Sequence, residues 1–327
     1  MKNKKKDKFV LYAYEYSSLA LFVSVFIAFS LMSDKFLKVE NLVNILQQTA
    51  ATGIVAVGMT FVLLVAGIDL SVGSIMFLTA AVAGKLLSMG MNLPLVLIVM
   101  ILVGLLIGFI NGFVSTKFKI VAFIVTLATL YVGRGLGLLI TETREMKLPE
   151  SFLLIGTSDI FGIPIPIIIF LVVLAIAHFT LNQTALGRQI YAVGNDPEAA
   201  KKSGINVSFI LVLVYVISGL TATIGGTVAV AQLGTVAPNF GNEREFVVIA
   251  SAVLGGTSLF GGRGKVFPGT LIGALLILTI ENGLVIINAD PYIYPLISGA
   301  IIFLAVFIDS MRNHKLTILK RHKIRVS

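Results

Sequence analysis

Between Pro94 and Val114 the chain reads PLVLIVMILVGLLIGFINGFV, without one charged side chain and with Asn111 as its sole amide. At 1.5 Å per helical residue such a stretch is about 30 Å long, the thickness of a bilayer's hydrocarbon core. Comparable apolar stretches lie near 17–33, 43–66, 72–90, 120–140, 165–181, 209–231, 246–260, 266–288 and 293–309. Across all 327 residues, 57% are hydrophobic and 13% charged, and the mean hydropathy is +0.99. Soluble domains carry about 25% charged residues, so a soluble fold is excluded. The expectation is an all-α integral membrane protein of about ten transmembrane helices over 17–309, with basic tails at 1–16 and 310–327.

The charges orient it. An alternating path that starts inside gathers Lys2, Lys4, Lys5, Lys6, Lys8, Lys117, Lys119, Arg188, Lys201, Lys202, Arg263, Lys265 and every basic residue after 310 on one side. Only Lys35, Lys38, Arg144, Lys147 and Arg244 fall opposite, with Lys85 and Arg134 inside spans. Basic residues concentrate at cytoplasmic ends, so both termini are expected to be cytoplasmic, and the net charge of +9 needs no nucleic-acid partner. The basic run before the first apolar stretch also suits a signal peptide, but no convincing A-x-A site follows and nine more apolar stretches do; it reads as the first anchored helix. The absence of cysteine excludes disulfide scaffolds and thiolate metal sites, and three histidines leave little for imidazole chemistry.

Polar backbone cannot face lipid, so glycines within the spans must pack on neighbours or line a cavity. Gly104, Gly108 and Gly112 recur every fourth residue, as do Gly269 and Gly273; this spacing suits close helix packing. Two polar interruptions read as tight structural turns: Gly67-Ile68-Asp69-Leu70-Ser71-Val72-Gly73-Ser74, and the segment from Gly255 and Gly256 through Gly264. They are paired here as matching positions of two five-helix halves of inverted orientation. Asp69 has two readings, a helix cap supported by Ser71 and Ser74 or an ion-coupling acid. Gln47, Gln48, Thr60, Asn111, Thr126 and Asn282 are candidate pathway residues, because amides and hydroxyls exchange hydrogen bonds readily with a neutral polyhydroxyl solute.

The longest cytoplasmic connection, 182–208, contains a short helix with strong end signals. Asp196 suits the N-cap, Pro197 the first position, Glu198 the positive dipole end, Lys201 and Lys202 the negative end, and Gly204 the left-handed stop. So short a helix does not persist alone in water, so it is expected to dock.

Glu198-Ala199-Ala200 followed by Gly204 matches the E-A-A-x-x-x-G coupling motif of ABC transporter permeases. Around it stand Asn44-Ile45-Leu46-Gln47-Gln48-Thr49, Gly67-Ile68-Asp69-Leu70-Ser71-Val72-Gly73-Ser74, Phe123-Ile124-Val125-Thr126-Leu127-Ala128-Thr129 and Val253-Leu254-Gly255-Gly256-Thr257-Ser258-Leu259. In these strings, from about residue 37 to residue 310, the chain resembles the permeases of bacterial ribose and related monosaccharide importers. The resemblance implies a multi-pass protein of the bacterial inner membrane, paired with a second permease copy or paralogue. It further implies an ABC ATPase subunit that uses ATP and Mg, an extracytoplasmic sugar-binding protein, and Pro197, Glu198, Ala199, Ala200 and Gly204 as the ATPase-coupling residues. On that pattern this chain binds no cofactor and no metal and is not an enzyme, in keeping with its lack of a G-x-x-x-x-G-K-[ST] loop. It departs from the family's G-x-G-Y-E-L-like stretch at Pro238-Asn239-Phe240-Gly241-Asn242-Glu243-Arg244-Glu245-Phe246, a segment expected outside.

Two other classes fit less well. An ion-coupled secondary transporter would place charges deep in the bundle, whereas the spans hold little beyond Asp69, Arg134 and Glu281. A membrane enzyme would cluster His, Asp or Glu at one interface, whereas His178, His314 and His322 are scattered.

Overall fold

The computed structural model describes residues 17–294 and, beyond them, positions 296–297, 299–301, 303–304, 306–307 and 310. Both basic tails, 1–16 and 311–327, lie outside the described residues, as does part of the expected span 293–309, whose described positions are helical. The elements are α1 (Ser17–Met32), α2 (Val39–Leu64), α3 (Val72–Ser88), α4 (Leu93–Phe118), α5 (Ala122–Thr141), β1 (Met146–Lys147), α6 (Glu150–Thr157), β2 (Asp159–Ile160), β3 (Ile163–Pro164) and α7 (Ile165–Gln183). They continue with α8 (Ala185–Asn195), α9 (Pro197–Lys202), α10 (Val207–Leu233), β4 (Thr235–Val236), α11 (Arg244–Leu254), a kinked turn at Val266–Thr270 and α12 (Leu271–Ile286). Of the described residues 77% are helical, and the strands among them form two small antiparallel pairs, β1 with β4 and β2 with β3.

Among the described residues, six helices are long and apolar enough to cross a membrane alone: α2, α4, α5, α7, α10 and the stretch Val266–Ile286. The apolar helices α1 and α3 are shorter. The expected eighth span, 246–260, is corrected most: helix stops at Leu254, and Gly256, Gly261 and Gly262 then take positive φ of 93, 79 and 68°. Eleven helical residues reach about 16 Å, half a bilayer core. The helix ends where the expected glycine turn Gly255–Gly264 begins, since left-handed glycines cannot continue an α-helix.

α2 is buried without interruption from Thr49 to Leu64 and forms the axis of the bundle. α4 shows how the outer helices work. Its buried side is the stripe Val96, Met100, Gly104, Gly108, Asn111 and Gly112, while Leu102, Leu106 and Phe109 are exposed. That distribution suits a helix whose outer face meets lipid. Methyl groups at Gly104, Gly108 and Gly112 would run into Thr223, Tyr215 and Val212 of α10, and one at Gly273 into the Ser251 carbonyl of α11. The glycine spacings are therefore close helix contacts. Likewise Gly58 abuts Thr221, and Gly137 of α5 lies on the Phe77 ring of α3.

A methyl on Gly73 would strike the carbonyl oxygen of Gly241, and one on Gly241 that of Gly73. The Gly67–Ser74 turn, which follows α2, is thus packed on the segment that follows α10. Both α3 and α11 start deep in the bundle. Asp69 bonds to Ser218 midway along α10, and a methyl on Gly133, in mid-α5, would meet Ser74. The segment from Pro238 to Phe246 packs Phe240, Gly241 and Glu245 into the bundle, while Asn239, Asn242, Glu243 and Phe246 stay exposed. Arg134 of α5 pins it, its guanidinium donating to the Phe240 carbonyl at 2.6 Å while lying 4.7 Å over the Phe77 ring.

Candidate functional site

A cavity of ≈ 730 Å³ opens between α2, α10 and the folded-back segment. From α2 come Asn44, Gln47, Gln48, Ala51, Thr52 and Val55, spaced three and four residues apart and hence on one face of the helix. Gln232 faces them from α10, and Asn239, Asn242 and Arg244 complete the polar wall. Six amides therefore line it, each able to donate and to accept. Gln48 donates to Asn44 at 3.0 Å and Gln232 to the Gln47 carbonyl at 3.3 Å, so the carpet is held in register by its own bonds. A second cavity of ≈ 350 Å³ shares Asn44, Gln48 and Arg244 with the first and is otherwise mainly apolar; Glu281 and Asn282 line it. Arg244 is 3.6 Å from Glu281. Asn282 donates to Asn41 at 2.9 Å, and its buried carbonyl oxygen has no hydrogen-bond partner among the described residues.

Of the six candidate pathway residues, the structure brings Gln47 and Gln48 into the large cavity and Asn282 into the small one. Thr60, Asn111 and Thr126 line neither. Thr60 donates to the Ala56 carbonyl at 2.8 Å and shares a 2.7 Å bond with Thr270. Asn111 donates to Ser71 at 2.8 Å and accepts from Thr129 at 2.6 Å, and Thr126 bonds to the Ile68 carbonyl at 3.3 Å. These last contacts surround the turn that holds Asp69. Its carboxylate is fully buried and accepts from the Ser71 N–H at 2.9 Å, the Ser71 hydroxyl at 2.6 Å and the Ser218 hydroxyl at 2.7 Å. A carboxylate so provided with donors has strong structural reasons to be there. The glycines of the turns, Gly67, Gly73, Gly255 and Gly256, sit where backbones touch or turn: a methyl on Gly67 would meet Tyr215, and one on Gly255 the Gly269 carbonyl.

At the other end of the bundle, α8 and α9 meet at Asp196, which ends the first helix and caps the second, accepting from Glu198 at 2.9 Å and Ala199 at 3.0 Å. Ala200 is buried and anchors α9, while Pro197, Glu198, Ala199, Lys201, Lys202 and Gly204 are exposed. Gly204 has φ +83°, the left-handed stop, and Ile205 N–H reaches back to the Ala200 carbonyl at 3.1 Å. Sequence reasoning missed Asn44, Thr52, Gln232, Asn239 and Asn242. The first two were detectable as the continuation of the Gln47/Gln48 stripe; the others depend on a tertiary fold-back that no local signal announces.

Residues 41–306 match the family described as the permease component of branched-chain amino acid transport systems. The chain is 39% identical over 304 residues to the ribose import permease of Haemophilus influenzae, covering 91% of this chain and 94% of that protein. It is 40% identical over 298 residues to the ribose import permease of Bacillus subtilis, covering 90% and 92%. With the D-allose transport permease of Escherichia coli it shares 37% identity over 313 residues, 94% of this chain and 95% of that protein. No solved structure matches. With residues 41–306 matching the family and these relatives 37–40% identical over at least 90% of both chains, the chain belongs to the family of branched-chain amino acid transport permease components.

Proposed function

We propose that this chain is the permease subunit of an ATP-driven importer that carries a monosaccharide, ribose or a close relative, across the cytoplasmic membrane. The observation that carries the reading is the cavity lined by six amides, at the opposite end of the bundle from the exposed helix α9. Amides satisfy the hydroxyls of a neutral sugar one by one without binding a charge, and ≈ 730 Å³ accommodates a monosaccharide with its water. The names of the relatives, ribose and allose permeases, support the sugar.

The complete assembly in this reading has ten membrane-embedded helices in two inverted five-helix halves, with α3 and α11 as their half-length members and both termini cytoplasmic. The permease domain runs from 17 to 309, and the loop 182–208 docks on the ATPase. Two permeases, identical or paralogous, share the ATPase chain that binds ATP and Mg, and a binding protein delivers sugar at the cavity end. An ion-coupled transporter is the second reading, favoured by the depth of Asp69. Full burial and three hydrogen bonds on that carboxylate weigh against it.

The test is uptake of labelled ribose, xylose, galactose and leucine into proteoliposomes holding permease, ATPase and binding protein. ATP-dependent uptake of one sugar is expected. Uptake driven by an ion gradient without ATP would establish the second reading. Gln48→Leu removes one donor–acceptor pair from the cavity wall and is expected to lower sugar uptake about three- to tenfold at unchanged abundance, the value of one hydrogen bond; unchanged uptake would move the pathway elsewhere. Since the chain has no cysteine, orientation is read cleanly: a cysteine at Lys201 is expected to resist impermeant thiol reagents in intact cells and to react in inverted vesicles.

A further inference from the structure

The glycine-rich segment Gly255–Gly264 belongs neither to the cavity nor to α9, yet it touches what joins them. One face of α8 grips it. The Tyr191 hydroxyl donates to the Gly264 carbonyl at 2.8 Å, Gly262 rests on the Asn195 side chain, and a methyl on Gly194 would meet the Gly262 nitrogen and the Leu64 carbonyl. Residues 191, 194 and 195 are three and four apart, so a single stripe of α8 makes all these contacts. Gly262 N–H also donates to the Leu64 carbonyl, at 2.8 Å, closing the segment onto the end of α2.

At its other side the segment runs straight into α11, and the first turns of α11 put Arg244 and Val248 in the cavity wall. The helix is about 16 Å long and stiff. Between α8 and α9 there is no slack, because Asp196 serves both. A displacement of α9 therefore reaches α8, then the segment, whose positive-φ glycines can change conformation where other residues could not, and then α11.

We propose that Tyr191 is a positioning residue for transport: its bond to Gly264 fastens α8 to the Gly255–Gly264 segment, so that α11 repositions the cavity wall when the ATPase moves α9. The proposal rests on the importer reading above. It competes with transmission through Gly194 and α2 alone, and Tyr191→Phe separates the two, since it deletes the bond to Gly264 and leaves the contact with Leu64 in place.

The experiment measures labelled-ribose uptake and ATP hydrolysis together in proteoliposomes of the full transporter. Tyr191→Phe is expected to raise the ATP hydrolysed per sugar carried about fivefold, the range in which residues between coupled sites act. Asn195→Ala, a change at an exposed position, is expected to act in the same direction and serves should Tyr191→Phe assemble poorly. Ser115→Ala, which deletes the bond to the Ile120 carbonyl (3.0 Å) at the α4–α5 turn, is expected to leave the ratio unchanged. Wild-type ratios in both Tyr191→Phe and Asn195→Ala would overturn the proposal. A wild-type transporter that carries no panel sugar with ATP would overturn the importer reading itself.

Discussion

Gly204→Arg is expected to reach the membrane at near wild-type abundance and to lose at least tenfold in ATP-dependent uptake. Two observations separate the effects. A side chain at position 204 meets nothing within 4 Å, so the fold has room for it, and the φ of +83° costs a non-glycine residue about 1–2 kcal/mol at one exposed site. That is tolerable for a bundle of this size. The arginine does, however, project at the end of the exposed face formed by Pro197, Glu198, Ala199 and Lys201, where an ATPase cleft would close on α9. A docking loss of about 1.4 kcal/mol already means tenfold. Gly204→Asn, small and tolerant of the left-handed region, is expected to keep most of the uptake. Normal uptake by the arginine variant would remove α9 from the coupling path; uptake lost together with protein abundance would make Gly204 a folding residue.

Asp69→Leu is expected to cost the most stability of any single change discussed, about 3–5 kcal/mol, because each buried donor left without an acceptor costs about 1–3 kcal/mol. The substitution leaves the Ser71 N–H, the Ser71 hydroxyl and the Ser218 hydroxyl without their acceptor, in a site with no exposure. The disturbance reaches Asn111 and Thr129 through Ser71. Asp69→Asn retains one acceptor oxygen and is expected to lose less. Thermal unfolding of the purified protein in detergent checks both: a midpoint for Asp69→Leu equal to wild type would show that the carboxylate is not a structural tie, and would revive an ion-coupling role for it.

The membrane class, the apolar stretches and α9 are legible in the sequence because each is a local property. Composition fixes the solvent, and Asp196, Pro197 and Gly204 mark helix ends within a single turn of chain. The glycine stripe of α4 is legible for the same reason, since residues four apart share a face. What escapes is non-local. The end of α11 at Leu254 is blurred in a hydropathy window that runs on to Leu259 and Phe260, and nothing near Pro238–Phe246 in sequence reveals that Arg134, more than a hundred residues earlier, pins Phe240. Thr60, Asn111 and Thr126 show the converse: polarity within an apolar stretch marks a residue as important but does not say whether it faces a solute or ties two helices.

The meeting of α3 and α11 at Gly73 and Gly241 bears on how the protein responds to voltage. Two helix N-termini converge there, each equivalent to about half a positive charge. Arg134 adds a whole one, and the carboxylates Asp69 and Glu245 stand at the same two helix starts. Groups of both signs therefore stand together within one small volume. An uncompensated charge crossing the bilayer does about 2.3 kcal/mol of work per 100 mV, enough to tie a moving part to the membrane potential. A junction in which charges of both signs stand together couples far more weakly to that potential than a single unpaired charge would.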